Sequence, residues 1–73
     1  MSVLYYGRPE DVAKAIKSEI ELLTALLNRD EKLDAFIKKK IELLNRCLAQ
    51  VGKLPPGEYQ VVAVNTCEVI PLL

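Results

Sequence analysis

Two charged side chains of opposite sign occupy positions where apolar residues are expected. Their types and spacing could form an ion pair. Glu19 falls in the middle of one run of apolar residues with helical spacing, and Lys40 falls in the middle of the next. The two positions are symmetric about residues 28–30, so a chain reversal there predicts an interhelical ion pair. The alternative is that each side chain lays its methylenes on the core and keeps its charge in water. A buried pair adds little net stability but can fix the register of two helices.

A second pattern is a basic stripe, formed by Lys32, Lys39 and Arg46, which recur every seven residues. These side chains share one side of a helix, beside Phe36 and Leu43. A row of cations of this kind is a possible polyanion contact, for phosphate groups or for an acidic partner. The alternative is a solvated face.

The remaining chemistry-bearing residues are two cysteines, Cys47 and Cys67, and they are too few for a zinc site. A strand that ran straight back along the second helix would carry Cys67 past Cys47, so we expect two small buried hydrophobes without a disulfide. The chain has no histidine, no glycine-rich phosphate loop and no Ser/His/Asp or Cys/His set. We therefore expect no enzyme activity, no catalytic residues, no metal and no cofactor.

The elements that must position these residues are two amphipathic helices, predicted at residues 9–28 and 30–52. Pro9 suits the first helical position, and Asn28 or Asp30 can cap the second helix. The alternative is one long helix that pairs with a second chain, but an antiparallel pair would bring Asp30 close to its own copy. We therefore favour a hairpin hinged at residues 28–30. Its two apolar stripes comprise Val12, Ile16, Ile20, Leu23 and Leu27, and then Leu33, Ile37, Ile41, Leu44, Leu48 and Val51.

Strands are predicted at residues 2–6, 58–65 and 67–70. Pro55, Pro56 and Gly57 forbid further helix and start a turn, and the next residues alternate as a strand does. One long strand with a kink at residues 65 and 66 is the alternative to a hairpin. Leu72 and Leu73 form an apolar tail that is either tucked in or bound to a partner. The predicted fold is α+β: an antiparallel helical hairpin packed on a small β-sheet that the N- and C-terminal strands form, in the order β-α-α-β(β).

Size and composition limit the function. The chain has 73 residues, of which 51% are hydrophobic, and ten basic residues balance ten acidic ones. A zero net charge gives no global attraction for nucleic acid or anionic membrane. No segment has the roughly 20 apolar residues that span a bilayer, so we expect a soluble, cytoplasmic protein without a membrane partner.

The apolar stripes are broader than one neighbouring helix can cover, which predicts self-association. We expect a homodimer in which two hairpins form a four-helix bundle through Leu22, Leu26, Phe36, Leu43 and Cys47. The expected function is a small protein–protein interaction module, a homodimeric adaptor, regulator or subunit of a larger assembly. The alternative is a nucleic-acid-binding regulator that uses the basic stripe.

Overall fold

A computed structural model describes residues 3–72, which form two helices and a three-stranded antiparallel sheet. The elements are β1 (Val3–Gly7), α1 (Pro9–Ala25), α2 (Glu31–Val51), β2 (Tyr59–Ala63) and β3 (Cys67–Pro71). The predicted α+β class and the helical hairpin are confirmed, and the optional third strand is present. Ser2 of the first predicted strand and Leu73 of the predicted tail lie outside the described residues.

Strand β2 lies at the centre of the sheet, between β1 and β3. Val3 pairs with Ala63 and Gly7 with Tyr59 on one side, while Ala63 pairs with Cys67 on the other. Residues 64–66 connect β2 to β3, so the chain makes a hairpin here and not one kinked strand. Because side chains alternate along a strand, one face of this sheet packs on the helices and the other faces solvent.

The two helices are separated by a tight reversal. Asn28 adopts a left-handed conformation (φ 68°), which asparagine tolerates better than most residues. Its N–H donates to the Asp34 carboxylate at 2.9 Å, and Asp30 caps α2 by accepting from the N–H of Lys32 at 2.9 Å. Helix α1 therefore ends at Ala25, three residues earlier than predicted, because the chain needs residues 26–30 to turn. The alternative of one continuous helix is wrong.

The core lies between α1, α2 and the inner face of the sheet. Ile16 of α1, Leu44 of α2 and Val61 of the central strand all lie there and are fully buried. Helix α2 packs against β2, β3 and α1, while α1 packs against β1. The other members of the core are Val12, Leu23, Ile37, Cys47, Val51 and Ala63.

Cys47 and Cys67 form a disulfide that joins α2 to β3, with Cα atoms 5.4 Å apart. The prediction of two unpaired cysteines is therefore wrong. It assumed a strand that ran on past Cys47, whereas the reversal at residues 64–66 brings Cys67 back beside Ala63. A chain of this size gains much from such a cross-link, since its core alone supplies little stability.

Candidate functional site

The helical hairpin is longer than the sheet that supports it. Helix α2 has 21 residues, about 31 Å at 1.5 Å per residue, whereas each strand has five, about 17 Å. The described chain is accordingly elongated, at 42 × 19 × 16 Å. The disulfide fixes the sheet against the C-terminal half of α2. We call the end of the hairpin that projects beyond the sheet, residues 20–37, the overhang. Of its residues, Leu23 and Ile37 are buried and belong to the core.

The overhang exposes large apolar side chains on the side where the sheet would continue. Phe36 is 53% exposed and Leu22 is 64% exposed, and Leu26 and Leu33 are also exposed. Leu22 and Leu26 follow Glu19 by three and seven residues, so they lie on the face of α1 that Glu19 occupies. Three members of the predicted interaction surface, Leu22, Leu26 and Phe36, therefore lie together at this end.

The other two members of that predicted surface are placed differently. Leu43 is half-buried and lies six residues beyond the overhang along α2. Cys47 is fully buried and bonded to Cys67, so its inclusion in an interaction surface is wrong. The cause is its position: Cys47 lies where the sheet covers α2, one turn beyond Leu43.

The Glu19–Lys40 pair lies at the boundary between the covered half and the overhang. The Lys40 Nζ atom is 3.9 Å from the Glu19 Oε1 atom, and the two side chains are 10% and 34% exposed. This distance is an ion contact and is too long for a hydrogen bond. The arrangement can hold the register of the two helices, since each charge meets its counterpart only in this alignment.

Tyr5 of β1 lies on the inner face of the sheet, close to this charge pair. Its hydroxyl is buried and has no hydrogen-bond partner within residues 3–72. Burial raises the pKa of the Tyr5 hydroxyl, and the charge of Glu19 raises it further. The neutral phenol is therefore the form that this site stabilises.

A groove opens where the sheet ends and α2 continues. It has a volume of about 270 Å³, and we call it the step groove. Its charged lining residues are both lysines, Lys39 and Lys40, and no carboxylate lines it. A groove with an apolar floor and ammonium groups suits an apolar group that carries negative charge nearby. Its apolar and neutral lining residues are Val3, Phe36, Leu43, Leu44, Ala63, Val64 and Asn65.

The basic stripe is exposed along its whole length. Lys32, Lys39 and Arg46 are all exposed, and in the described part of the chain none of them forms an ion pair. Lys39 alone also lines the step groove. The three cations are therefore free to meet an external anion.

The outer face of the sheet is a further apolar surface, which was not predicted from the sequence. Tyr6 is 61% exposed, and Leu4, Ile70 and Leu72 are exposed with it. The signal was present: β2 carries valines on both of its alternating faces, whereas a strand with one solvated face usually alternates apolar and polar residues.

The described residues offer apolar and basic surfaces and no cluster of metal ligands. No group of three or more His, Cys, Asp or Glu among residues 3–72 could hold a metal ion. No helix in that range is long and apolar enough to cross a membrane. What the arrangement can do is bury apolar surface against another molecule.

Protein-family models, curated proteins and solved structures were compared with the chain, and none of them matches it.

Proposed function

We propose that this chain is a small protein–protein interaction module, a homodimeric adaptor, regulator or subunit that associates through its overhang. The observation that supports this proposal is the cluster of exposed leucine and phenylalanine side chains beyond the end of the sheet. Monomeric proteins rarely leave a contiguous apolar patch of this kind in water. Two overhangs packed face to face would form a four-helix bundle and bury it, at about 25 cal/mol per Å² of apolar area.

The experiment is sedimentation equilibrium at micromolar concentration, on the native chain and on Phe36→Glu. A two-fold interface repeats each contact, so one substitution acts twice. We expect Phe36→Glu to be a folded monomer where the native chain is a dimer. A native chain that stays monomeric at all accessible concentrations would contradict the proposal.

The matched control is Tyr6→Glu, which places the same charge on the exposed outer face of the sheet. We expect it to leave the dimer intact. If Tyr6→Glu separates the subunits and Phe36→Glu does not, the interface is the sheet face and the overhang is not involved.

A second candidate function, nucleic-acid binding, is favoured by the exposed and unpaired basic stripe. Such binding should weaken steeply with salt, with a log–log slope of about −0.9 per duplex phosphate contacted. Arg46→Glu lies far from the overhang, so it should reduce retardation of DNA or RNA and leave the dimer unchanged. Absence of retardation at low salt would remove this candidate.

The disulfide provides information about the cellular compartment in which the protein resides. Disulfides persist in oxidising compartments and are rare in the cytosol, except in hyperthermophiles. The Cys47–Cys67 bond therefore favours an oxidising compartment over the expected cytoplasmic location. Thiol labelling of the native chain, taken directly from its source cells under acid quench, tests this point.

A further inference from the structure

We infer that the homodimer is reciprocal, with the turn of each hairpin, residues 28–34, seated against the step groove of the other copy. This inference rests on the proposed homodimer and adds which parts of the two copies meet. It follows from the layer geometry of the fold and, independently, from the charges at the two ends of the overhang.

The layer geometry restricts how two overhangs can pack. In each copy the helices form one layer, and the sheet forms a second layer beneath part of it. A second hairpin that covers the exposed underside of the overhang must lie in the layer of the sheet. The position of this second hairpin is limited by the contact between its turn and the end of the first copy's sheet, at residues 64–66. A two-fold axis then places the turn of each copy at the step groove of the other.

The charges at these two ends are complementary. The step groove carries Lys39 and Lys40 and no lining carboxylate. The turn carries three acids, Asp30, Glu31 and Asp34, around one shallow depression that Arg29 also lines. With Arg29 and Lys32 counted against the three acids, residues 28–34 have a net charge of −1. Lys40 is already 3.9 Å from Glu19, whereas Lys39 has no ion-pair partner within residues 3–72.

Glu31 is the acid of the turn that is available to a partner. The carboxylates of Asp30 and Asp34 accept backbone N–H groups of their own chain. Glu31 is exposed and makes no side-chain hydrogen bond or ion pair among the described residues. The inferred contact across the dimer is therefore Glu31 with Lys39, formed twice.

The size of the overhang sets the strength of the association. Six residues of α1 and seven of α2 lie in the overhang, or about 10 Å of helix at 1.5 Å per residue. A surface of that length and two helices wide places the interface at the small end of the specific class, below about 1,200 Å² in total. The dimer should therefore be weak and concentration-dependent. Because its ion pairs are exposed, added sodium chloride should weaken it further.

The test is a charge swap between Glu31→Lys and Lys39→Glu. Each variant alone places like charges together at both contacts, and we expect its dimer to weaken about tenfold, since exposed pairs are individually modest. In the heterodimer that an equimolar mixture forms, the two substituted residues meet at one contact and the native Glu31 and Lys39 meet at the other, so both favourable pairs are restored. It should therefore associate more tightly than either variant alone, as measured by sedimentation equilibrium on full-length protein.

Controls make the swap specific. Glu21→Lys and Lys38→Glu change the same charges on the outer, polar sides of the helices and should leave the dimer as it is. Circular dichroism confirms that each variant is folded, and Glu31→Gln replaces Glu31→Lys if the reversal unfolds the helix start.

The outcomes separate the inference from the proposed function. If the native chain never dimerises, the proposed homodimer and this inference both fail. If it dimerises and the two variants behave like the controls, or if the mixture is no tighter than its components, the reciprocal contact is wrong and the homodimer stands. A native dimer that tightens as sodium chloride is added would also overturn the contact, since it would indicate a purely apolar interface.

Discussion

The two ends of the hairpin carry the same apolar stripe, but the stripe is buried at one end and exposed at the other. Leu33 and Leu44 are eleven residues apart, about three helical turns, so they lie on the same side of α2. Leu44 is fully buried beneath the sheet, whereas Leu33 in the overhang is 47% exposed. The difference comes from the five-residue strands, which are too short to reach Leu33. An amphipathic pattern thus predicts which face of a helix packs against other elements. The length of the neighbouring strands determines how much of that face is buried.

Truncation of the two leucines should have very different effects on stability. Leu44→Ala should lower the free energy of unfolding by about 2–5 kcal/mol, because it leaves a cavity in a packed core. Leu33→Ala should cost less than about 1 kcal/mol in the monomer, since it removes a side chain that is half in water. Urea denaturation at a concentration where the chain is monomeric measures both. Equal losses would mean that the overhang is covered within one chain.

The disulfide stabilises the half of the hairpin that the sheet covers. The double variant Cys47→Ala/Cys67→Ala should lose about 3 kcal/mol, the loop-closure value for a separation of 20 residues. Denaturant midpoints with and without reductant test the native chain, and the double variant should not respond to reductant. A native chain that reductant leaves equally stable would contradict a structural role for the bond.

The Glu19–Lys40 contact tests the boundary between the two halves. Replacing either residue alone with leucine should destabilise the chain, because it leaves the other charge unpaired. Glu19→Leu with Lys40→Leu should recover or exceed native stability. We expect a coupling energy of about 1 kcal/mol from the double-mutant cycle. Strict additivity of the two single changes would show that the side chains act independently.

The smallest expected effect concerns Tyr5 at alkaline pH. Its pKa is raised in the folded chain, so its contribution to stability is fully present below the ordinary value near 10 and is lost as the pH rises through the folded value. Tyr5→Phe should therefore flatten the alkaline loss of stability. It should cost little at neutral pH, because the buried hydroxyl has no partner.

Thermal melts between pH 8 and 11 measure this effect. Tyr6→Phe, on the exposed outer face, removes a tyrosine without touching the core and should melt like the native chain throughout. An alkaline limb that Tyr5→Phe leaves unchanged would assign the loss to other groups.

The helices and the chain reversal can be predicted from the sequence because both depend on local signals. Helical spacing of the apolar residues sets the inner faces, and Asn28 and Asp30 are residue types that turn and cap a chain. The symmetry of Glu19 and Lys40 about that turn also anticipates their approach. These relations need only helix geometry and the position of one turn.

The disulfide and the outer sheet face depend on distances between elements, which local patterns do not contain. Whether Cys67 reaches Cys47 is decided by the reversal at residues 64–66, and Asn65 and Thr66 are compatible with either a turn or a kinked strand. The exposure of Tyr6 and Ile70 follows from the number of layers in the fold. A third layer would have buried the same residues.

The disulfide also decides what happens if the backbone is cut. Its loop encloses the connection between α2 and β2, including the exposed Lys53. A trypsin nick after Lys53 would separate the helices from the last two strands along the backbone, while the cystine keeps both fragments covalently attached. The nicked molecule should run as one band on a non-reducing gel and as two after reduction. In a protease-rich environment, the chain could be cleaved at this loop without losing its sheet.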